Sequence, residues 1–165
     1  MRNKQKGFSL IELLIVVAII LIIAAIAIPN LLRARIAANE SSAVGSVRTI
    51  VTAEVTYSST WGTGFAATIA ALGGANPCTA AAAAACLIDP VLAAGNKSGY
   101  KLAAPGGAAV AGIVPTFAVS AVPQTVGQTG QRAFCSDESG VVRFDPLGAT
   151  TAATDTACEA LPPLQ

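Results

Sequence analysis

The sequence has no histidine, one methionine, one tryptophan, and charged side chains at only 12% of its 165 positions. Without histidine, the usual general base and the commonest metal ligand are both missing, and no serine stands in a nucleophile elbow. An enzyme's constellation is therefore not visible, and no cofactor is indicated. A formal net charge of +1 gives no bulk electrostatic basis for holding nucleic acid. The four cysteines, Cys78, Cys86, Cys135 and Cys158, include no CxxC pair. That spacing argues against a zinc tetrathiolate, whose ligands usually come in closely spaced pairs. They read instead as two disulfides formed in an oxidising compartment. The length leaves room for one modest domain plus an extended element.

What the chain has in abundance is apolar sequence, 53% of its residues. From Phe8 to Ile28 it reads FSLIELLIVVAIILIIAAIAI, interrupted only by Ser9 and Glu12. At ~1.5 Å per residue this stretch makes about 31 Å of helix, enough for the hydrocarbon core of a bilayer. Arg2, Lys4 and Lys6 precede it, and the chain from Phe8 onward carries seven basic against nine acidic residues. That asymmetry predicts a cytoplasmic N-terminus with the remainder translocated, in agreement with the cysteines. The apolar run ends in Ile28-Pro29-Asn30 rather than in a small-residue cleavage site, so no cut behind it is indicated. Glu12 is what an ordinary anchor does not explain. A carboxylate within hydrocarbon costs several kcal/mol unless paired, and the segment holds no cation. Its partner must come from the N-terminus or from another chain.

The stretch Lys6-Gly7-Phe8-Ser9-Leu10-Ile11-Glu12-Leu13-Leu14 resembles the processing site of type IV prepilins. The resemblance implies that a prepilin peptidase cuts after Gly7 on the cytoplasmic side and methylates the new N-terminal residue, Phe8. It further implies that Glu12 pairs with the terminal amine of a neighbouring subunit as the inner-membrane assembly machinery builds a helical homo-oligomer. A charge freed at Phe8 would neutralise the carboxylate while apolar faces pack around both. The likeness is tight over residues 1 to about 35 and looser beyond, and Ser9 stands where threonine is frequent in the family. A proline at the place of Pro29 is typical of these pilins, next to a segment that can unwind in the filament. Pro29 removes one backbone hydrogen bond. Because LLRARIAANESSAVGSV resumes helix-compatible sequence, a kink is expected rather than a stop.

Beyond Pro29, Val44, Val47, Val51 and Val55 mark an amphipathic stretch that should end near Trp61-Gly62. One kinked helix over about residues 8–60 is expected, roughly 80 Å long. Residues 62 to about 99 carry no persistent period and read as a connecting loop region. Within them, a straight helix would hold Cys78 and Cys86 about 12 Å apart, whereas a disulfide needs Cα atoms within roughly 7 Å. Either the intervening alanines reverse direction and the two cysteines bridge locally, the favoured reading, or each finds another partner. Strands are expected at Gly99–Leu102, Thr116–Ser120, Arg132–Cys135 and Val141–Phe144, with Ser136–Gly140 as a hairpin turn.

The expected fold class is α+β, a long kinked N-terminal helix on a small antiparallel sheet, the type IV pilin fold. Its parts would be a leader over 1–7, a membrane and filament-core half over 8–35, an amphipathic half over 36–61, and a head over 62–165. A Cys135–Cys158 bridge would follow from the local pairing. Pilins commonly fasten the C-terminal loop in this way, which implies that residues 145–165 face outward.

The function implied is a structural subunit of an extracellular type IVa pilus serving adhesion or surface motility, held in the inner membrane before assembly. The alternative is a type II secretion pseudopilin or a minor pilin. Pseudopilins often bind calcium, for which Asp137, Glu138, Asp145 and Asp155 are candidate oxygen donors, although acidic turn residues are more often solvated. A DNA-binding patch would have to come from Lys97, Lys101, Arg132 and Arg143. Four basic against six acidic residues from Trp61 onward oppose it.

Overall fold

The computed structural model describes residues 8–149 and 155–164. The first element, α1 (Leu10–Trp61), is a helix of 52 residues. Two four-residue helices, α2 (Ile69–Leu72) and α3 (Pro90–Ala93), come next. Five strands follow: β1 (Asn96–Lys97), β2 (Tyr100–Ala103), β3 (Ala118–Pro123), β4 (Ala133–Asp137) and β5 (Arg143–Asp145). A short helix, α4 (Asp155–Glu159), is the last element. By internal contacts the chain divides into two units, Met1–Arg35 and Ile36–Gln165.

The sheet is an antiparallel meander in the order β1-β2-β3-β4-β5. Its centre is covered on both faces, for five of the six residues of β3 and all five of β4 are buried. One core joins Ala43, Val47, Ile50, Ala53 and Tyr57 of α1 to Leu72, Leu92, Tyr100, Leu102, Val119 and Phe134. Burying each large apolar side chain contributes about 1.5–3 kcal/mol, so neither the sheet nor this part of α1 is stable with its inner face in water. The elements, a long N-terminal helix and a small antiparallel sheet, are consistent with the α+β fold expected from the sequence.

The structure corrects the sequence reading in three places. The buried stripe of α1 runs Ala43, Val47, Ile50, Glu54 and Tyr57, spaced four and three residues apart. Val44 and Val51 lie at its edge and Val55 is 54% exposed. A series stepping by four beyond Val47 rotates off the buried face, because two steps of four overshoot the two turns that 3.6 residues per turn allow. The region 62–99 holds α2, α3 and β1 rather than an unbroken connection. Asp89 caps α3, its carboxylate accepting from the Leu92 amide at 2.9 Å, with Pro90 at the first helical position. β3 begins at Ala118, two residues later than composition suggested.

α1 ends where the sequence turns permissive. Gly62 takes φ of +66°, a left-handed conformation that costs glycine little, and its amide donates to the Ser58 carbonyl at 3.2 Å. The C-terminal segment adds itself to the sheet at β5. The Phe144 amide donates to the Pro162 carbonyl at 3.0 Å and the Leu164 amide to the Val142 carbonyl at 2.8 Å. The Arg143 guanidinium bonds the Leu161 carbonyl at 3.0 Å. An edge that would otherwise offer unpaired backbone groups is thereby covered.

Candidate assembly site

Residues 8–32 present one apolar surface with nothing packed on it in the single chain. Phe8 is 77% exposed, and every large apolar residue from Leu10 to Leu32 is at least 43% exposed. The helix is long and apolar enough to cross a membrane. The helix passes Pro29 without interruption. Having no N–H, Pro29 leaves the Ala25 carbonyl without its usual helical donor. Gly7 lies outside the described residues.

Glu12 has a partner within its own chain that is not a cation. The Ser9 amide donates to its Oε2 at 2.9 Å, and the Ile11 amide reaches the Ser9 hydroxyl at 3.4 Å. With α1 starting at Leu10, Ser9 is the N-cap and Glu12 the third helical residue, which makes a capping box. The signature, serine followed three residues later by glutamate ahead of an apolar run, is plain in the sequence. The carboxylate also lies at the positive end of the helix dipole. In the isolated chain it is thus hydrogen-bonded, while its charge is not neutralised by any described cation.

A family model described as "Prokaryotic N-terminal methylation motif" matches residues 2–28. Among curated proteins, the type IV wide pilus major component PilA4 of Thermus thermophilus is 68% identical over 41 residues, 25% of this chain and 30% of that protein. The type IV major pilin protein PilA of Myxococcus xanthus is 44% identical over 54 residues, 33% of this chain and 24% of that protein. The chain thus carries the N-terminal methylation motif and is similar, over a quarter to a third of its length, to two type IV pilins. The matched stretches span less than a third of either relative, and no solved structure matches the chain.

In the head, two glutamates of α1 hold it to its surroundings in opposite electrostatic states. Glu40 is clamped as an anion. Its Oε1 accepts from the Gln131 and Arg132 amides at 3.0 and 3.1 Å, and its Oε2 from Nε and Nη2 of Arg132 at 3.0 and 2.7 Å. Burial works to raise its pKa, but these bonds together prevail and hold it below the ordinary value. The Arg132 guanidinium also lies 5.4 and 5.6 Å from the ring centres of Phe134 and Phe144, within cation–π range.

Glu54 is the contrary case. It is 0% exposed, its Oε2 accepts from the Ala66 amide at 2.8 Å, and its Oε1 has no partner. Burial pushes its pKa up to about 7, against the smaller opposing effect of the Ala66 bond. In an unfolded chain it would titrate near 4.5. The folded state therefore binds the proton more tightly. The stability it contributes is full below pH 4.5 and lost as pH rises through 7. The chain is expected to melt at a higher temperature at pH 5 than at pH 8, and Glu54→Gln to raise the melting temperature at pH 8 and flatten that difference. Equal pH dependence in the two proteins, read by thermal circular dichroism in detergent, would count against a buried neutral carboxyl.

The structure pairs Cys78 with Cys86, Cα atoms 6.1 Å apart, and Cys135 with Cys158 at 5.9 Å. The alanines between the first pair form a tight reversal in which Ala81 and Ala84 exchange amide bonds. The basic residues considered as a patch are individually engaged in three cases out of four. Lys97 pairs with Asp89 at 3.3 Å, Arg132 with Glu40, and Arg143 with a carbonyl. Asp137 and Asp145 accept backbone amides in turns, through Ser139 and Leu147. The side chain of Asp155 lies outside the described residues.

Proposed function

We propose that this chain is a structural subunit of an extracellular type IV pilus, cut after Gly7, N-methylated at Phe8, and polymerised through its apolar helix for adhesion or surface motility. What supports the reading is the coincidence, within residues 6–32, of the prepilin-like sequence Lys6-Gly7-Phe8, a capped carboxylate at Glu12, and an unpacked apolar helix. The names of the two relatives support assembly into a pilus. Before assembly the helix holds the subunit in the inner membrane, N-terminus cytoplasmic, while the disulfide-bonded head folds outside the cytoplasm. Residues 8–35 then form the filament core, 36–61 the helical support of the head, and 62–165 the head with its closed C-terminal loop. A prepilin peptidase and the membrane assembly machinery are the partners required. In the filament, apolar side chains leave lipid for protein, so the gain lies in packing and in neutralising Glu12.

The test is to shear filaments from cells and read the N-terminus of their principal protein by mass spectrometry. This chain is expected to begin at Phe8 with one added methyl group. Processed chain found only in the cell envelope would instead assign it to a pseudopilin or minor subunit.

A further inference from the structure

Among the described residues of the head unit, most charges are spent internally. Glu40, Asp89, Lys97 and Arg132 are ion-paired; Glu54, Asp137 and Arg143 bond backbone groups. Four exposed charges have no polar partner among the described residues: Arg48, Lys101, Glu138 and Glu159. They balance in sign, and two of them stand in structures shaped for contact.

Arg48 lines a cleft of about 440 Å³ between α1 and the C-terminal segment, with Ser41, Val44, Gly45, Arg132 and Leu164. Glu40 is there too, but both its oxygens are saturated by Arg132 and two amides. The uncompensated charge of the cleft is therefore positive. Gly45 is exposed, and a side chain there would meet nothing within 4 Å, so the helix surface beside Arg48 is open.

Glu138 lies at the tip of the β4–β5 turn. That turn is braced from inside: the Ser139 amide donates to Asp137 Oδ1 at 2.9 Å, the Gly140 amide to the Asp137 carbonyl at 3.0 Å, and the Ser136 hydroxyl to the Val141 carbonyl at 3.1 Å. Gly140 supplies the left-handed residue, φ +72°, that closes it. The result is a rigid, narrow projection with one unpaired carboxylate, presented without further loss of backbone entropy.

We propose that the cleft beside Arg48 receives the Glu138 turn of a second copy of this chain. A guanidinium takes a carboxylate through two parallel hydrogen bonds, and contact between two different patches of identical subunits is the kind that repeats into a helix. Glu159, at the end of a short helix tied down through Cys158, offers no comparable projection. The proposal rests on the filament reading and names one of its contacts.

The test is charge exchange in the full chain, read as sheared filament yield. R48E and E138R are each expected to lower the yield at least about tenfold, since each places like charges together. The double variant R48E/E138R is expected to return to within about twofold of the parent. Disulfide content and melting temperature of the membrane-held subunit should not move, because both side chains are exposed. Parent-level yield from either single variant overturns the contact, as does a double variant no better than the singles. Rescue of R48E by E159R instead also overturns it, by giving Arg48 a different partner. Absence of filaments from the parent chain would bring down the filament reading and this contact with it.

Discussion

Glu12→Gln is expected to abolish filament incorporation almost as fully as Glu12→Ala, while both variants insert into the membrane normally. The comparison separates two roles that the carboxylate combines. Glutamine retains an acceptor for the Ser9 amide and so preserves the capping box; alanine removes it, at a cost of about 1 kcal/mol to the helix start. Only the charge is common to what both variants lose. If that charge pairs with the amine freed at Phe8 of a neighbour, its loss leaves an ammonium buried and uncompensated, which costs about 3–5 kcal/mol. Incorporation should then fall by about two to four orders of magnitude. The readout is sheared filament per cell, against processed subunit in membranes. Near-normal filament from Glu12→Gln, with a defect only in Glu12→Ala, would reduce Glu12 to a cap and remove the ion pair from assembly.

The second large effect is expected from removing the Cys135–Cys158 bridge by double substitution with serine. The cysteines are 23 residues apart, and both are buried. In the loop-closure account a bridge of this span contributes about 3 kcal/mol, worth about 10 °C in melting temperature for a domain of this size. The consequence reaches further than stability. The three bonds from residues 161–164 to Val142, Arg143 and Phe144 are what cover the outer edge of β5. Untethered, that segment should fray, exposing the edge to pairing with other chains. Limited proteolysis of the detergent-solubilised variant should remove the C-terminal segment first, and the trimmed protein should aggregate on warming. A variant with unchanged melting temperature and an uncut tail would show that the strand-like bonds suffice alone.

How much of this was legible in the sequence follows from the length scale of each signal. The long helix and its end were readable because the apolar run and Gly62 are local and strong. The β4–β5 hairpin was readable because Ser136–Gly140 separates two aromatic-bearing strands. The helices α2 and α3 were not, since four residues complete barely one turn and show no period. β1, of two residues, gives no alternation at all. β3 was misplaced because Ala118–Pro123 is buried on both faces and so lacks the polar partners that mark a register. Glu54 was missed for a related reason. A lone carboxylate at a core position cannot be told from a solvated one until the stripe Ala43-Val47-Ile50-Tyr57 is known to enclose it. The capping box of Ser9 and Glu12 is legible in the sequence as a serine and a glutamate three residues apart ahead of an apolar run.

The way the C-terminal loop is anchored bears on how this protein can change over evolutionary time. Residues 146–154 run between β5 and α4, and both of those are fastened independently of the loop, one by the sheet and the other by Cys158 to Cys135. A loop with fixed ends can double in length for about 0.6 kcal/mol of closure entropy. Insertions and substitutions there need not be matched by compensating changes elsewhere in the head. Lineages carrying this scaffold can vary that segment while the helix and sheet stay under constraint.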